Sequence, residues 1–306
     1  MKTLVVINPH SANRRTGQEW SSIRTALQNT LDEFDERFTT ASGDATQIVR
    51  EGLLAGTERI IAVGGDGTYN EVVNGFFEEE EPINPEALLG IVPRGTGGDL
   101  RKTLGIGRKL VDCLPVLRSG HFRTVDVGRA SFLDGAGRPC RRHFINITSF
   151  GIGGLVDEMV NRSSKALGGK ASFFLGTARA MLLYRNQTIR LKVDDHFDET
   201  LCINNVAVAN GQYHGGGMWV APGAEIDDGL FDVVILGDFS KLEMLTQGLR
   251  IYQGTHLDLP KVRSLRGLHV EASSDAEVLI DMDGEQPGKL PISLDVLPKA
   301  LRLIAP

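Results

Sequence analysis

The chain has 306 residues, of which 41% are hydrophobic, and it contains 36 glycines but only 12 prolines. This hydrophobic content, with no collagen-like period, excludes a fibrous or low-complexity disordered chain and assigns the excess glycine to folded loops. The net charge of −6 argues against a broad nucleic-acid-binding surface, which needs a basic face. The length predicts two domains.

The cysteines and the apolar segments indicate a soluble, cytoplasmic protein. Cys113, Cys140 and Cys202 form neither a C-x-x-C pair nor a zinc pattern, which is typical of free thiols in a reducing compartment. The apolar run 4–7 is too short for a signal peptide, and the uncharged stretch 200–224 is too polar to span a membrane. We therefore expect no membrane anchor within the sequence.

Short apolar runs alternate with helix-length polar segments in the first third of the chain. This alternation predicts a parallel sheet with helical crossovers. The acidic run 78–81, followed by Pro82, predicts an exposed loop. The expected strands are 4–7, 34–39, 59–63 and 87–92, and the expected helices are 17–31, 45–54 and 69–77.

After about residue 124, short strand-like segments replace most of the helix signals. Their spacing and the glycine and Asn/Asp clusters between them predict an antiparallel, sandwich-like second domain. We therefore expect an N-terminal α/β domain over 1–126 and a β-rich domain over 127–296. The expected strands of the second domain are 144–148, 189–193, 202–209, 230–236, 269–272, 278–282 and 292–296, and its expected helices are 154–162 and 170–184.

The strand at 59–63 runs into Gly64-Gly65-Asp66-Gly67-Thr68. Glycines allow a sharp bend and let a phosphate approach main-chain N–H groups, and a threonine at the helix entrance can cap the helix or donate to the phosphate. Asp66 would repel a phosphate, so a metal ion or a hydroxyl donor is expected between them. An ordinary strand–helix turn is the alternative interpretation.

A second glycine loop, Gly95-Thr96-Gly97-Gly98-Asp99, follows the strand at 87–92, and Asn8 follows the first strand. The carboxyl ends of parallel strands share one edge, where open α/β sheets bind ligands. The sequence therefore predicts a nucleotide site at this edge. Neither loop has the Walker A or G-x-G-x-x-G spacing.

These motifs resemble the soluble lipid kinase family that includes diacylglycerol and sphingosine kinases, and above all its bacterial branch of phosphatidylglycerol and diacylglycerol kinase type. The similarity extends over nearly the whole chain, in order. The further matching segments are Asp126-x-Gly128, Phe144-Ile145-Asn146, Gly151-x-Gly153, Asn210-Gly211, Gly215-Gly216-Gly217, Ala221-Pro222, Asp227-Asp228-Gly229-Leu230, Asp283-Gly284-Glu285 and Leu297-Pro298-x-Ala300-Leu301.

The resemblance implies a Rossmann-like domain of the NAD kinase/diacylglycerol kinase type, followed by an all-β sandwich-like domain, with ATP bound in the cleft between them. It also implies that about 297–306 return to the first domain. The implied activity is the Mg²⁺-dependent transfer of the γ-phosphoryl group of ATP to the hydroxyl of a membrane lipid such as diacylglycerol or phosphatidylglycerol. Nucleic acid is not an expected partner.

The resemblance also implies roles for individual residues. Glu285 and Asp66 match the catalytic residues, with Glu285 as acid/base, and Asp66, Asp99 and Asp126 match acids that organise magnesium. Without the resemblance, Asp283-Gly284 indicates an ordinary hairpin turn. Gly98 departs from the family, which has asparagine there. The implied nucleotide contacts are Asn8, Thr39, Gly65, Asp66, Gly67, Thr68, Tyr69, Asn70, Glu71, Gly95, Thr96 and Asp99.

The resemblance places a structural divalent cation on Asp228 and the backbone carbonyls of Glu225 and Leu230. Oxygen-only ligation favours Mg²⁺ or Ca²⁺. A simple acidic turn is the alternative. The segment 162–185 interleaves basic and apolar residues, which fits transient contact with a membrane surface or a helix packed into the second core.

Two other functions stay open. An NAD kinase-like enzyme shares the Gly64-Gly65-Asp66-Gly67 motif, and a catalytically silent nucleotide- or lipid-binding regulator would explain Gly98.

Overall fold

A computed structural model of the protein describes residues 1–79, 81–162 and 183–306. The chain divides into two compact units, one formed by Met1–Val127 with Pro298–Pro306 and the other by Gly128–Leu297. Within the described residues, no helix has the length and apolar character needed to cross a membrane.

The first unit contains a parallel sheet whose central strands are buried along their whole length. Such strands are continuous apolar runs because helices cover both faces of a parallel sheet. Its strands are β1 (Thr3–Ile7), β2 (Phe34–Phe38), β3 (Arg59–Gly64) and β6 (Leu88–Pro93), in the order β2-β1-β3-β6. Two short strands, β4 (Phe77–Glu78) and β5 (Glu81–Pro82), form a separate antiparallel pair.

Helices connect these strands and pack apolar faces against them. The helix expected over 17–31 is two helices, since Glu19 separates α1 from α2. The acidic run is exposed at Glu78, Glu79 and Glu81 as expected, but Glu78 and Glu81 pair as strands β4 and β5. The helices are α1 (Arg15–Gln18), α2 (Trp20–Gln28), α3 (Asp44–Leu54), α4 (Asp66–Gly75), α5 (Asp99–Thr103) and α6 (Leu110–Ser119).

The second unit is built from two antiparallel sheets. The first includes β11-β10-β17-β19, and the second has the order β16-β15-β12-β9-β18. The strands are β7 (Phe122–Asp134), β8 (Pro139–Phe144), β9 (Ile147–Gly151), β10 (Gln187–Val193), β11 (Phe197–Ile203), β12 (Asn205–Ala209), β13 (Tyr213–His214), β14 (Met218–Trp219), β15 (Phe231–Leu236), β16 (Val262–Gly267), β17 (His269–Ser273), β18 (Ile280–Met282) and β19 (Gly288–Ile304).

One hydrophobic core joins the two sheets of the second unit. Leu191 and Val270 of the first sheet and Phe150 and Phe231 of the second belong to the same buried cluster. This is the packing of a β-sandwich. The α/β fold class of the N-terminal part and the sandwich-like class of the C-terminal part are therefore confirmed.

The last strand reaches the first unit at its C-terminal end. Arg302 and Leu303 of β19 pair in parallel with Leu88 and Leu89 of β6, so these terminal residues extend the parallel sheet. Strand β7 begins in the first unit and ends in the second, so the boundary falls inside a strand rather than in a linker.

Several expected elements of the second unit differ in the structure. The strand expected over 144–148 is interrupted between β8 and β9, and that over 202–209 is interrupted at Asn204, whose amide donates to Leu236 and Gly237 outside the strand ladder. The helix expected over 154–162 is α7 (Ile152–Arg162). A further helix, α8 (Lys241–Gln247), was not expected, and it is followed by 3₁₀ turns at Gly248–Gln253 and Thr255–Asp258. Most of the segment 162–185, which contains the helix expected over 170–184 and for which membrane contact was one expectation, lies outside the described residues.

Acid should destabilise the protein through His143. Burial and the nearby charge of Arg129 lower the pKa of His143 to about 4, from 6.5. As the pH falls from 6.5 to 4, the unfolded chain binds a proton at this site and the folded chain does not. Stability is therefore lost over that window, by up to about 3 kcal/mol. Urea unfolding at pH 7 and pH 4.5 measures this loss, and His143→Gln should reduce it; an equal loss in the variant would contradict the assignment.

Candidate functional site

Three strand ends of the first unit lie side by side at one edge of the parallel sheet. In the register of the sheet, Ile7 pairs with Val63, and Gly64 pairs with Pro93. Each of these strands ends just before a predicted site segment. The sheet therefore brings together Asn8 and the two glycine loops.

The carboxylate of Asp66 holds the second loop against the first. It accepts hydrogen bonds from the backbone N–H groups of Gly98 (2.8 Å), Asp99 (3.1 Å) and Leu100 (3.3 Å). Burial and the charge of Asp99 raise the pKa of Asp66, whereas the three amides oppose that rise. The carboxylate of Asp66 therefore positions the second loop against the first.

The glycines allow the two loops to touch through their backbones. A Cβ on Gly95 would lie 2.7 Å from the backbone Cα of Gly65, closer than Cβ atoms approach other atoms in proteins. Gly98 has a φ of +68°, in the left-handed region. Asparagine is among the few other residues that adopt this region readily. Glycine therefore preserves the loop where the family has asparagine.

Polar groups from the neighbouring strands complete this edge. Asn8 Nδ2 donates to Thr68 Oγ1 at 3.0 Å, and the amide of Thr39 donates to the carbonyl of Ile7. Thr96, on the second loop, is exposed. The structure therefore groups Asn8, Thr39 and Thr68 with the two glycine loops.

Three predicted nucleotide contacts of α4 face elsewhere, because one face of this helix packs into the core. Tyr69 is buried and its hydroxyl donates to the carbonyl of Gly64, and Asn70 is also buried. Glu71 accepts from the amide of Ala45 and from Ser42 at the start of α3. The side chains of Tyr69 and Glu71 are therefore engaged within the first unit, and the nucleotide contacts predicted for the three residues stay a prediction.

The other two predicted acids are buried. Asp99 lies 3.4 Å from the ammonium of Lys102. Asp126 is fully buried and accepts a hydrogen bond from the amide of Lys299 at 2.7 Å. Asp126 therefore anchors the returning C-terminal segment.

Glu285 lies next to a two-residue hairpin turn in the second unit. Asp283 and Gly284 have φ values of +49° and +87°, and the amides and carbonyls of Met282 and Glu285 pair across them. Tight hairpins favour this conformation. The carboxylate of Glu285 is about 30% exposed and lies 3.3 Å from the guanidinium of Arg142.

Buried carboxylates fix this turn in place. The side chain of Asp283 accepts hydrogen bonds from the backbone amides of Ile145, Asn146 and Ile147, at 3.0, 3.1 and 3.0 Å. Between β8 and β9, these three bonds take the place of the backbone hydrogen bonds that a continuous strand would make. Sequence reasoning found the turn but missed this anchor.

A second pair behind the turn was also missed. Asp281 Oδ1 accepts from the amide of Gly284 at 3.0 Å, and its Oδ2 lies 2.6 Å from His214 Nε2. The one available signal was a charged residue, Asp281, inside the apolar run 278–282. Glu285 therefore projects from a turn held by Asp283, Asp281 and His214.

The predicted structural cation site does not fit its surroundings. Asp228 accepts from the amide of Leu230 at 3.0 Å and pairs with the guanidinium of Arg266, which also lies 3.6 Å from Asp232. Burial, opposed by Arg266, raises the pKa of Asp232, and the charges of Asp228 and Glu225 raise it further. Arg266 therefore supplies the positive charge assigned to the cation. Within the part of the chain that the structure describes, no cluster of three or more His, Cys, Asp or Glu residues is suited to a metal.

Two family models match the chain. The diacylglycerol kinase catalytic domain matches residues 2–130, and the YegS C-terminal NAD kinase beta sandwich-like domain matches residues 146–305. The chain therefore belongs to the bacterial lipid kinase family that has these two domains.

Members of the lipid kinase family match this chain over most of their length. A diacylglycerol kinase of Bacillus subtilis is 26% identical over 99% of this chain and 95% of its own. A protein of Chromohalobacter salexigens named as a YegS-like lipid kinase is 31% identical over 88% of this chain and 83% of its own.

Solved structures agree on the fold. A crystal structure from Bacillus anthracis, assigned as a diacylglycerol kinase, has a TM-score of 0.78 and 25% identity and covers 100% of this chain and 95% of its own. Yeast NADH kinase in complex with NADH has a TM-score of 0.53 at 11% identity, covering 100% of this chain and 84% of its own, and shows the fold alone.

The left-handed φ of Gly98 predicts which substitutions the second loop tolerates. Gly98→Asn should change the free energy of unfolding by less than about 1 kcal/mol, whereas Gly98→Val should lower it by about 2 kcal/mol or more, because a β-branched residue is strained there. Urea unfolding of both variants measures the difference. Equal losses would show that the position does not require this conformation in solution.

The anchoring role of Asp283 predicts a large loss of stability on its removal. Asp283→Ala leaves three buried N–H groups without their acceptor and should cost about 3 kcal/mol or more. Glu285→Gln, two residues away and partly exposed, is the matched control and should change stability by less than about 0.5 kcal/mol. Thermal unfolding checks both values, and a mild effect at Asp283 would contradict the anchor.

Proposed function

We propose that this protein is an ATP-dependent kinase that transfers the γ-phosphoryl group to the hydroxyl of a diacylglycerol, a phosphatidylglycerol or a related lipid. The single observation that carries the proposal is the pair of backbone-to-backbone glycine loops, tied by Asp66, at the carboxyl edge of the parallel sheet. Family membership supplies the lipid kinase class, and the Bacillus subtilis relative is named a diacylglycerol kinase.

The first unit is the proposed nucleotide-binding part. Glycine-rich loops at the ends of parallel strands offer backbone N–H groups to phosphates and allow close approach. We assign nucleotide contacts to Asn8, Thr39 and Thr68, and to two backbone ranges, 65–68 and 95–96. The phosphates and water supply most ligands of the Mg²⁺ that accompanies ATP in kinases, so few protein ligands are required.

Glu285 is the proposed general base. Phosphoryl transfer to an alcohol requires a group that accepts the hydroxyl proton as the oxygen attacks. The carboxylate of Glu285 is partly exposed, and it forms an ion pair with Arg142 that exists only in its ionised form. The anchored turn restricts its position, as a reacting group requires.

A kinase that acts on membrane lipids must reach its substrate at a membrane surface. We therefore propose a cytoplasmic protein that makes transient, peripheral contact with the bilayer, with ATP and a membrane lipid as its partners.

The proposed reaction is tested with γ-³²P-labelled ATP, Mg²⁺ and mixed micelles that contain a panel of lipid alcohols. We expect a labelled product that partitions into organic solvent. Label transferred instead to an added nicotinamide dinucleotide, and therefore remaining in water, would favour the NAD kinase-like alternative. No transfer to any acceptor by folded protein that still binds ATP would favour a silent regulator.

The role of Glu285 predicts a rate effect without a binding effect. Glu285→Gln should lower kcat by about 10²–10⁴-fold, because the amide cannot accept the hydroxyl proton. Glu277→Gln, which changes an exposed glutamate paired with Lys289 in the same unit, is the control. A kcat for Glu285→Gln within about twofold of the control would remove the residue from the chemical step.

A further inference from the structure

A buried histidine–aspartate pair lies behind the turn that carries Glu285. The side chain of Asp281 is 3% exposed and that of His214 is 10% exposed, and Nε2 of the histidine lies 2.6 Å from Oδ2 of the carboxylate. The other carboxylate oxygen accepts a hydrogen bond from the amide of Gly284 at 3.0 Å. One carboxylate therefore joins His214 to the residue that directly precedes Glu285.

Gly284 has open space on the side where a side chain would lie. A Cβ at this position would have no atom within 4 Å beyond its chain neighbours, and its φ is +87°. Asp283, one residue earlier, is held by its own three bonds to backbone N–H groups. Because glycine populates more backbone conformations than any other residue, the bond from Gly284 to Asp281 restricts the direction in which Glu285 leaves the turn.

His214 supports the charge on which the strength of this bond depends. A buried carboxylate stays ionised only when it is paired and hydrogen-bonded, and hydrogen bonds to an ionised acceptor are about twice as strong as neutral ones. The hydroxyl of Ser149, which is opposite Asp281 in the register of β9 and β18, makes no hydrogen bond within the described residues. The histidine is therefore the side chain that pairs with this carboxylate.

The hairpin of β13 and β14 supplies the histidine. His214 directly precedes three glycines, residues 215–217, whose φ values are +60°, +83° and +122°. Asn146 fastens the same hairpin, because its Nδ2 donates to the carbonyl of Tyr213 at 2.7 Å while its backbone N–H donates to Asp283 at 3.1 Å. The hairpin and the turn are thus joined at two points, which fixes the histidine relative to the turn.

We propose that His214 is a positioning residue for the general base, Glu285. Through Asp281 and the Gly284 amide, it holds the base carboxylate where the acceptor hydroxyl loses its proton. The histidine itself takes no proton from the substrate. Its removal should slow the chemical step and leave substrate binding unchanged, since a displacement of about 1 Å can cost about 10²-fold in rate. This inference rests on the proposed lipid kinase function.

The test compares two variants that keep an aromatic ring, in the labelled-ATP assay with lipid micelles. His214→Phe should lower kcat at least about tenfold and leave the KM values for ATP and lipid within about twofold. His214→Gln, which retains an N–H donor, should recover most of kcat. His256→Phe is the matched control, because His256 is also buried in the second unit and its Nε2 lies 3.0 Å from the carbonyl of Val220. The control should lose stability and keep its kcat within about twofold.

A double-mutant cycle separates positioning from a general structural effect. If His214 acts only through Glu285, His214→Phe should lower kcat by less than about twofold in the Glu285→Gln background. The full loss in that background, an equal loss in His256→Phe, or a kcat of His214→Phe within about twofold of the unaltered protein would overturn the proposal. His214→Asn, whose shorter side chain falls short of the carboxylate, takes the place of the phenylalanine variant if that variant does not fold.

Hydrogen exchange at the Gly284 amide reads the same link without turnover. His214→Phe should speed this exchange at least about tenfold relative to both the unaltered protein and His256→Phe. Unchanged exchange would overturn the link between the histidine and the turn. An unaltered protein that yields no labelled lipid therefore counts against the proposed function, while the exchange rates still decide whether His214 holds the turn.

Discussion

The first unit's proposed site depends on one interaction, in which the partly buried carboxylate of Asp66 accepts hydrogen bonds from three backbone N–H groups. Asp66 begins α4, and its carboxylate accepts hydrogen bonds from the backbone N–H groups of Gly98, Asp99 and Leu100, where the second loop enters α5. The link adds to the sheet pairing of Gly64 with Pro93 and to the hydrogen bond from the Arg94 amide to the Gly64 carbonyl. The link fixes the backbones of the two loops at a distance that only glycine allows, and so fixes the positions of the N–H groups proposed to bind phosphate.

The second unit uses the same device for a different purpose. Asp283 accepts hydrogen bonds from three backbone N–H groups of the segment where the chain passes from β8 to β9. Asp281 accepts one from the amide of Gly284. In both units, the carboxylate oxygens of an aspartate accept hydrogen bonds from backbone N–H groups, and this orients a neighbouring group. Around Asp283 that neighbour is Glu285, whose own partner is a guanidinium rather than a backbone amide.

The sequence predicts the part of this arrangement that follows from periodicity and chain order. Alternating strands and helices place Asn8 and both glycine loops at one sheet edge, because parallel strands end together. The directions of individual side chains on α4 do not follow from a motif: packing turns Tyr69 into the core and Glu71 towards α3. The pairing of His214 with Asp281 joins residues far apart in the chain, and the guanidinium at Asp228 comes from a distant strand, so neither could be predicted from local sequence.

The central claim is a division of labour, in which the Asp66-tied loops bind nucleotide and Glu285 acts only on the acceptor hydroxyl. Calorimetric titration of Mg·ATP into Asp66→Asn and Glu285→Gln tests it most directly. We predict that Asp66→Asn weakens the affinity at least about tenfold, because the amide group would oppose a backbone N–H, while Glu285→Gln leaves the affinity within about twofold. Unchanged affinity in Asp66→Asn together with a loss in Glu285→Gln would contradict the account.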